Sequence, residues 1–95
     1  MRVISRKKLL EAAGVHADLA APLDVWYRIA KRADWGSLED VRRELPSADG
    51  VEKYTVFNIK GGNYRLISEI NYLTKMVFIR EVLTHDEYDR ERWKK

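Results

Sequence analysis

Cysteine is absent from this 95-residue chain, so neither a disulfide framework nor thiolate–metal chemistry is open to it. The fold has to stand on packing alone. No apolar run approaches the ~18 residues that a membrane span requires. The amino-terminal stretch Met1-Arg2-Val3-Ile4-Ser5 lacks the apolar core of a secretion signal. Those two absences make a cytoplasmic protein the expectation. Histidine is scarce: His16 and His85 are the only two, far apart in sequence, which argues against a histidine-based metal site. The nucleophile-elbow word of serine hydrolases is missing. No repeat, low-complexity tract or linker divides the chain, so a single domain, 1–95, with one small core is expected.

What the chain does have is charge. Hydrophobic residues make up 45% and charged ones 35%, a globular rather than a disordered balance. The net charge of +3 does not itself argue for a polyanionic partner; its distribution says more. Residues 1–10 carry Arg2, Arg6, Lys7 and Lys8 with no acid, while residues 11–50 hold five bases against eight acids. Residues 51–95 hold nine bases against seven acids, and Arg90, Arg92, Lys94 and Lys95 fall in the final six. Basic charge at both ends suits a polyanion surface if the ends meet in space. Otherwise these are solvated basic tails.

The apolar spacing divides the chain into two halves. Val3 and Ile4 suit a short strand. Ser5 can cap a helix from Arg6 to about Ala13, ended by Gly14. A second helix is expected to start between Ala17 and Ala21, with Asp18 as N-cap and Pro22 in its first turn. Leu19, Leu23, Trp26, Ala30 and Ala33 form its apolar stripe, with Arg28, Lys31 and Arg32 on the wet side. Ser37-Leu38-Glu39-Asp40 reads as a capping box for a third helix that Pro46 stops, and Ser47-Ala48-Asp49-Gly50 reads as a loop. Beyond it the period switches to alternation over 54–59, 64–72 and 76–83, three strands joined by short connections. Thr84 and Glu87 form a capping box for a last short helix. The order β-α-α-α-β-β-β-α predicts an α+β domain, an antiparallel meander with helices packed on one face.

Chemistry concentrates in the second half. Arg80 is a permanent cation inside the apolar run of the third meander strand. It must find an anion, line a cleft, or pair structurally with Glu69 or Glu81, because burying it alone is costly. If Arg65 and Arg80 face the same way, they make a forked donor site for phosphate. Lys60 in Lys60-Gly61-Gly62-Asn63 could add a point charge, although the turn is explained equally well by its backbone needs. His85 and Tyr88 are i and i+3 on the last helix and therefore neighbours, and a histidine can trade protons near neutral pH. A lone histidine is more often merely structural or exposed.

Several words of the chain resemble the HigB family of bacterial toxins, which are RelE-like mRNA-cleaving enzymes. They are Trp26-Tyr27, Ala33-Asp34-Trp35, Pro46-Ser47-Ala48-Asp49, Val56-Phe57-Asn58-Ile59, Asn63-Tyr64-Arg65-Leu66-Ile67, Ile79-Arg80 and Thr84-His85-Asp86-Glu87-Tyr88-Asp89. The resemblance spans essentially the whole chain and implies a RelE-like fold. It implies a toxin–antitoxin module whose toxin cleaves mRNA, in many relatives on translating ribosomes, with no metal or other cofactor. The implied partners are mRNA, the ribosome and a cognate helix-turn-helix antitoxin of the HigA kind. Carried over by matched motif, Arg65, Arg80, His85 and Tyr88 would be catalytic, with Asn58 and Lys60 as supporting polar groups. Arg6, Lys7 and Lys8 would add RNA-binding charge. Glu81 is expected on the strand face opposite Arg80, and Asp86, Glu87 and Asp89 as capping and solubilising charges.

Overall fold

Ser5 lies extended, and its hydroxyl accepts a hydrogen bond from the Lys7 amide at 3.1 Å, which turns the chain from strand to helix at that residue. The computed structural model describes residues 1–90, Trp93 and Lys94. The order is β1 (Arg2–Ile4), α1 (Arg6–Val15), a 3₁₀ turn (Ala17–Leu19), α2 (Ala20–Arg32) and α3 (Leu38–Glu44). Then follow β2 (Asp49–Val51), β3 (Tyr54–Ile59), β4 (Tyr64–Asn71), β5 (Met76–Thr84) and α4 (His85–Asp89). The five strands form one mixed sheet, β1-β5-β4-β3-β2, in which β1 lies parallel to β5 and every other neighbour is antiparallel. Among the described residues no helix is long and apolar enough to cross a membrane.

Three local expectations are corrected. Gly14 does not end α1, which runs to Val15; His16 is the C-cap, its amide reaching the Ala12 carbonyl at 2.9 Å. A glycine in the last turn costs helix propensity but does not stop a helix whose hydrogen bonds continue past it. Asp18 caps nothing: it lies in the 3₁₀ turn, and its carboxylate binds Lys60 and Tyr64 instead. The stretch expected as a loop contains a strand, because Asp49-Gly50-Val51 pairs with Thr55 and its neighbours on β3. The hairpin closes through Glu52-Lys53, with Glu52 at φ +55°, a turn without the glycine or asparagine that usually announces one.

The main core lies between one sheet face and the first three helices. Leu19, Leu23, Trp26, Ala30 and Ala33 are all buried, as the stripe requires. Trp26 meets Phe57 edge-on at 5.3 Å, and Trp35 stacks on the same ring at 6.4 Å. Burying each large side chain there contributes roughly 1.5–3 kcal/mol. Leu66, Val77 and Ile79 complete the sheet side of this cluster. On the opposite face a smaller cluster gathers Tyr54, Val56, Ile67 and Trp93, with Leu83 and Tyr88 against it. The expectation that the helices pack on one face therefore holds for α1–α3 only: α4 contributes Tyr88 to the face they leave open. Its start is fixed by the Thr84–Glu87 capping box, with bonds of 2.9 and 3.2 Å.

One irregularity shapes that open face. Ile67 pairs with Glu81 but Ser68 pairs with Ile79, so Arg80 is an extra residue on β5, a β-bulge. Alternation is interrupted there. Val82 returns to the helix-side core while Leu83 joins the smaller cluster.

Candidate functional site

Two clefts open on the sheet face not covered by α1–α3, separated by a pair of aromatic rings. Tyr88 of α4 stacks on Trp93 with ring centroids 5.1 Å apart, and the Trp93 indole N–H donates to the Tyr88 carbonyl at 3.0 Å. Tyr54 closes on the other side of Trp93, edge-on at 5.5 Å.

The first cleft, about 420 Å³, is lined by Arg42, Asp49, Asn58, Arg65 and Tyr88 around Pro46 and Ser47. Register brings Asn58 of β3 directly opposite Arg65 of β4. The Arg65 guanidinium is held from behind: it donates to the carbonyls of Gly62 and Tyr64 and lies 5.2 Å from the Tyr88 ring centroid. Gly62 is favoured as glycine by its φ of +92°, which side-chain-bearing residues rarely adopt. A tethered planar cation beside a phenol and an amide, open to solvent, suits a bound phosphodiester.

The second cleft, about 510 Å³, has an apolar floor of Tyr54, Ile67, Leu83 and Trp93. Its rim is charged, with Arg80, Glu81, Glu87 and Arg90. Arg80 rests against the Phe78 ring at 5.4 Å and pairs with Glu69 at 2.9 Å, with side-chain exposures of 46% and 28%. Its charge is half-solvated rather than buried, and the pairing with Glu69 is one of the two alternatives that the sequence left open. The expectation that Glu81 faces away from Arg80 is overturned. The bulge sets Glu81 opposite Ile67, and both charged residues line this cleft.

Arg65, Asn58 and Tyr88 thus come together, whereas Arg80 lines the neighbouring cleft, and no cleft described here is lined by both arginines. The two arginines do not form a forked site. His85 is on neither wall. Its side chain is 54% exposed, and Nδ1 lies 2.9 Å from Asp89 one turn on, while Tyr88 turns inward.

Lys60 is also elsewhere, bound to Asp18 at 2.7 Å, and Tyr64 donates to the same carboxylate at 3.1 Å. The Lys60 hydrogen bond holds the Asp18 carboxyl below its usual range and, reciprocally, raises the Lys60 amine; desolvation first, then Asp18, raises the Tyr64 phenol. Arg6 stacks over Tyr27 at 4.6 Å, Lys7 is exposed, and Lys8 donates to the Arg80 carbonyl at 3.1 Å. Arg92 and Lys95 lie outside the described residues.

Arg42 and Asp49 were not anticipated from sequence. Arg42 follows Val41 of the third helix and is singled out by no motif. Asp49 belongs to the quoted word Pro46-Ser47-Ala48-Asp49, which marked the segment without giving it a role. Among the described residues no group of three or more histidine or acidic side chains is arranged to hold a metal ion.

The family model of the HigB toxin, described as the RelE-like toxic component of a toxin–antitoxin system, matches residues 19–91. The mRNA interferase HigB of Escherichia coli O6:H1 is 31% identical over 93 residues, covering 95% of this chain and 90% of that protein. The mRNA interferase toxin HigB of Escherichia coli K12 is 28% identical over 92 residues, covering 94% and 88%. The mRNA interferase HigB of Shigella flexneri matches over the same 92 residues at 28% identity. With the α+β architecture and five-stranded mixed sheet in place, the chain belongs to the HigB family of RelE-like toxins, the toxic components of toxin–antitoxin systems.

Proposed function

We propose that this chain is an mRNA endoribonuclease that binds RNA across its open sheet face and cuts by attack of a 2′-hydroxyl on the adjacent phosphorus. The observation that carries this reading is the shared cleft of Arg65, Asn58, Tyr88 and Arg42, with the Arg65 guanidinium fixed by the turn behind it. In the reaction the 2′-oxygen gives its proton to solvent water and bonds to phosphorus. The bond from phosphorus to the 5′-oxygen breaks, and that oxygen takes up a proton. The products are a 2′,3′-cyclic phosphate and a 5′-hydroxyl. Arg65, assisted by Arg42, offsets the charge that grows on the phosphate oxygens. Asn58 orients the phosphate. Tyr88 protonates the leaving oxygen, and Arg80 neutralises the adjoining phosphate. No metal is required, and alignment of the message by the ribosome supplies much of the positioning.

His85 stands one turn from the cleft, so its part in proton transfer calls for a direct comparison. Tyr88→Phe is expected to cost more activity than His85→Gln, with RNA affinity nearly unchanged in both. A second reading is a domain that blocks translation by binding alone. It is favoured by one feature: the histidine, the group best suited to proton transfer near neutrality, lies outside the cleft. End-group analysis of cleaved message decides. A 2′-deoxy nucleotide at the scissile position should abolish cleavage and spare binding, and activity should survive a chelator. Intact RNA beside full translational arrest would leave the binding-only reading standing. In cells, expression of the chain alone should arrest growth, and co-expression of the cognate antitoxin should restore it.

A further inference from the structure

The second cleft is built for something other than a phosphate. Glu81 lines its rim as an exposed carboxylate that makes no hydrogen bond or ion pair with any described residue. Glu87, beside it, already accepts the Thr84 amide. A free carboxylate repels the RNA backbone, so on an RNA-binding face its attraction is for hydrogen-bond donors, which RNA carries on base edges and sugar hydroxyls. The floor beneath it is apolar, and Arg80 and Arg90 flank it with cations for the phosphates on either side. A volume of about 510 Å³ lies within the range of small-ligand pockets and admits a nucleobase with its ribose.

We infer that this cleft is a nucleobase subsite, one nucleotide from the scissile phosphate, in which the apolar floor carries the face of the base and Glu81 reads its edge. Single-stranded RNA is read in this way, with unstacked bases splayed out and bonded along their Watson–Crick edges. Of the common bases, guanine offers two adjacent donors on that edge, N1–H and the 2-amino group, which match the two oxygens of one carboxylate. Adenine and cytosine present one donor beside an acceptor, which the carboxylate repels. The subsite therefore selects guanine. The bulge makes it possible, since regular alternation would turn Glu81 away from the cleft that Arg80 lines.

This inference rests on the RNA-cleaving reading, and binding separates the two. Short RNAs with a 2′-deoxy scissile nucleotide cannot be cut. Their affinities would be measured with guanine, inosine, adenine or cytosine at each position flanking that nucleotide. Guanine at one flanking position should bind on the order of tenfold to a hundredfold tighter than adenine, with inosine between them. Glu81→Gln should narrow the preference, because an amide carries both a donor and an acceptor and so also pairs with the mixed Watson–Crick edges of adenine and cytosine, and Glu81→Ala should flatten it. Equal affinity for all four bases at every position, or a guanine preference untouched in both variants, overturns the subsite. Cleavage of the matching all-ribose RNAs reports on the catalytic reading alone, because the base preference in binding stands or falls without it.

Discussion

Arg65→Ala separates a phosphate-binding arginine from a merely structural one, because the geometry sets the size of both effects. The substitution removes a guanidinium that donates to the Gly62 and Tyr64 carbonyls and lies over the Tyr88 ring. For stability, one net hydrogen bond is worth roughly 1 kcal/mol, and a partly exposed cation–π contact about 0.5–1 kcal/mol. The expected loss is therefore ~2 kcal/mol, and Tm should fall by no more than roughly 10–15 °C for a chain of this size. A domain starting from only ~5 kcal/mol would still hold more than about a hundred folded molecules for each unfolded one. For catalysis, loss of a charge-stabilising donor lowers the rate on the order of a hundredfold to a thousandfold. Unfolding cannot account for a drop of that size.

The assay is single-turnover cleavage of a message on programmed ribosomes, with Tm and circular dichroism recorded on the same preparation. Arg65→Lys should fall between the two, since a point charge keeps attraction for phosphate but loses the planar fork. Cleavage by Arg65→Ala within about threefold of the parent, against the expected donor effect, would remove Arg65 from the site.

Arg80→Ala should lower cleavage by about tenfold, at the mild end of donor deletions, while Tm barely moves, since a pair as exposed as Arg80–Glu69 contributes at most ~1 kcal/mol; a large fall in Tm would make the arginine a structural ion. Trp26→Ala should destabilise by roughly 3–5 kcal/mol, seen in urea titration, because it empties the space against Phe57; a loss below ~1 kcal/mol would show that this part of the core is loosely packed. Asp18→Asn should lower Tm at neutral pH by releasing Lys60 and Tyr64 from the 3₁₀ turn. Asp18 has a depressed folded-state value, so its contribution is present above the unfolded carboxylate value and disappears as pH falls through the lower folded one. The Tm gap between parent and variant should close in acid, and a gap that stays constant would argue against the ion pair. The raised Lys60 amine works the other way, so the same gap should narrow as pH climbs beyond its usual 10.5.

The helical half was legible because its signals are local and mutually consistent. The Leu19-to-Ala33 stripe is buried throughout, Ser37 accepts the Asp40 amide although the expected box stays open because the Asp40 carboxylate accepts the Gly36 amide instead, and Thr84–Glu87 closes as a box. β3 was legible to the residue because its ends are marked, by Ile59 before the turn Lys60-Gly61-Gly62-Asn63 and by the aromatic Tyr54. β2 was hidden because aspartate and glycine rank low as strand formers and no turn glycine follows them; pairing with β3 overrides both. The phase of β5 was hidden for a different reason. A bulge depends on how two strands fit each other and leaves no mark in the composition of either one. Lys60 illustrates the same limit, since a lysine in a glycine turn gives no sign that a carboxylate 42 residues earlier will hold it.

The surplus residue on β5 has a consequence for how this fold can vary. Arg80 has no opposite number on β4, so deleting it alone would leave Ile79 facing Ser68 and Glu81 facing Ile67, as they already do. The pairings farther on, Leu66 with Val82 and Arg65 with Leu83, would not need to shift. The cation is in effect detachable: a chain one residue shorter at that point keeps its core, its Arg65 cleft and the carboxylate of the neighbouring one. Length variation by a single residue is ordinarily ruinous inside a strand, because it inverts every side chain beyond it. Here it gives the sheet a place where a charge can be inserted or withdrawn without disturbing anything downstream, so the handling of the message and the integrity of the fold can change independently.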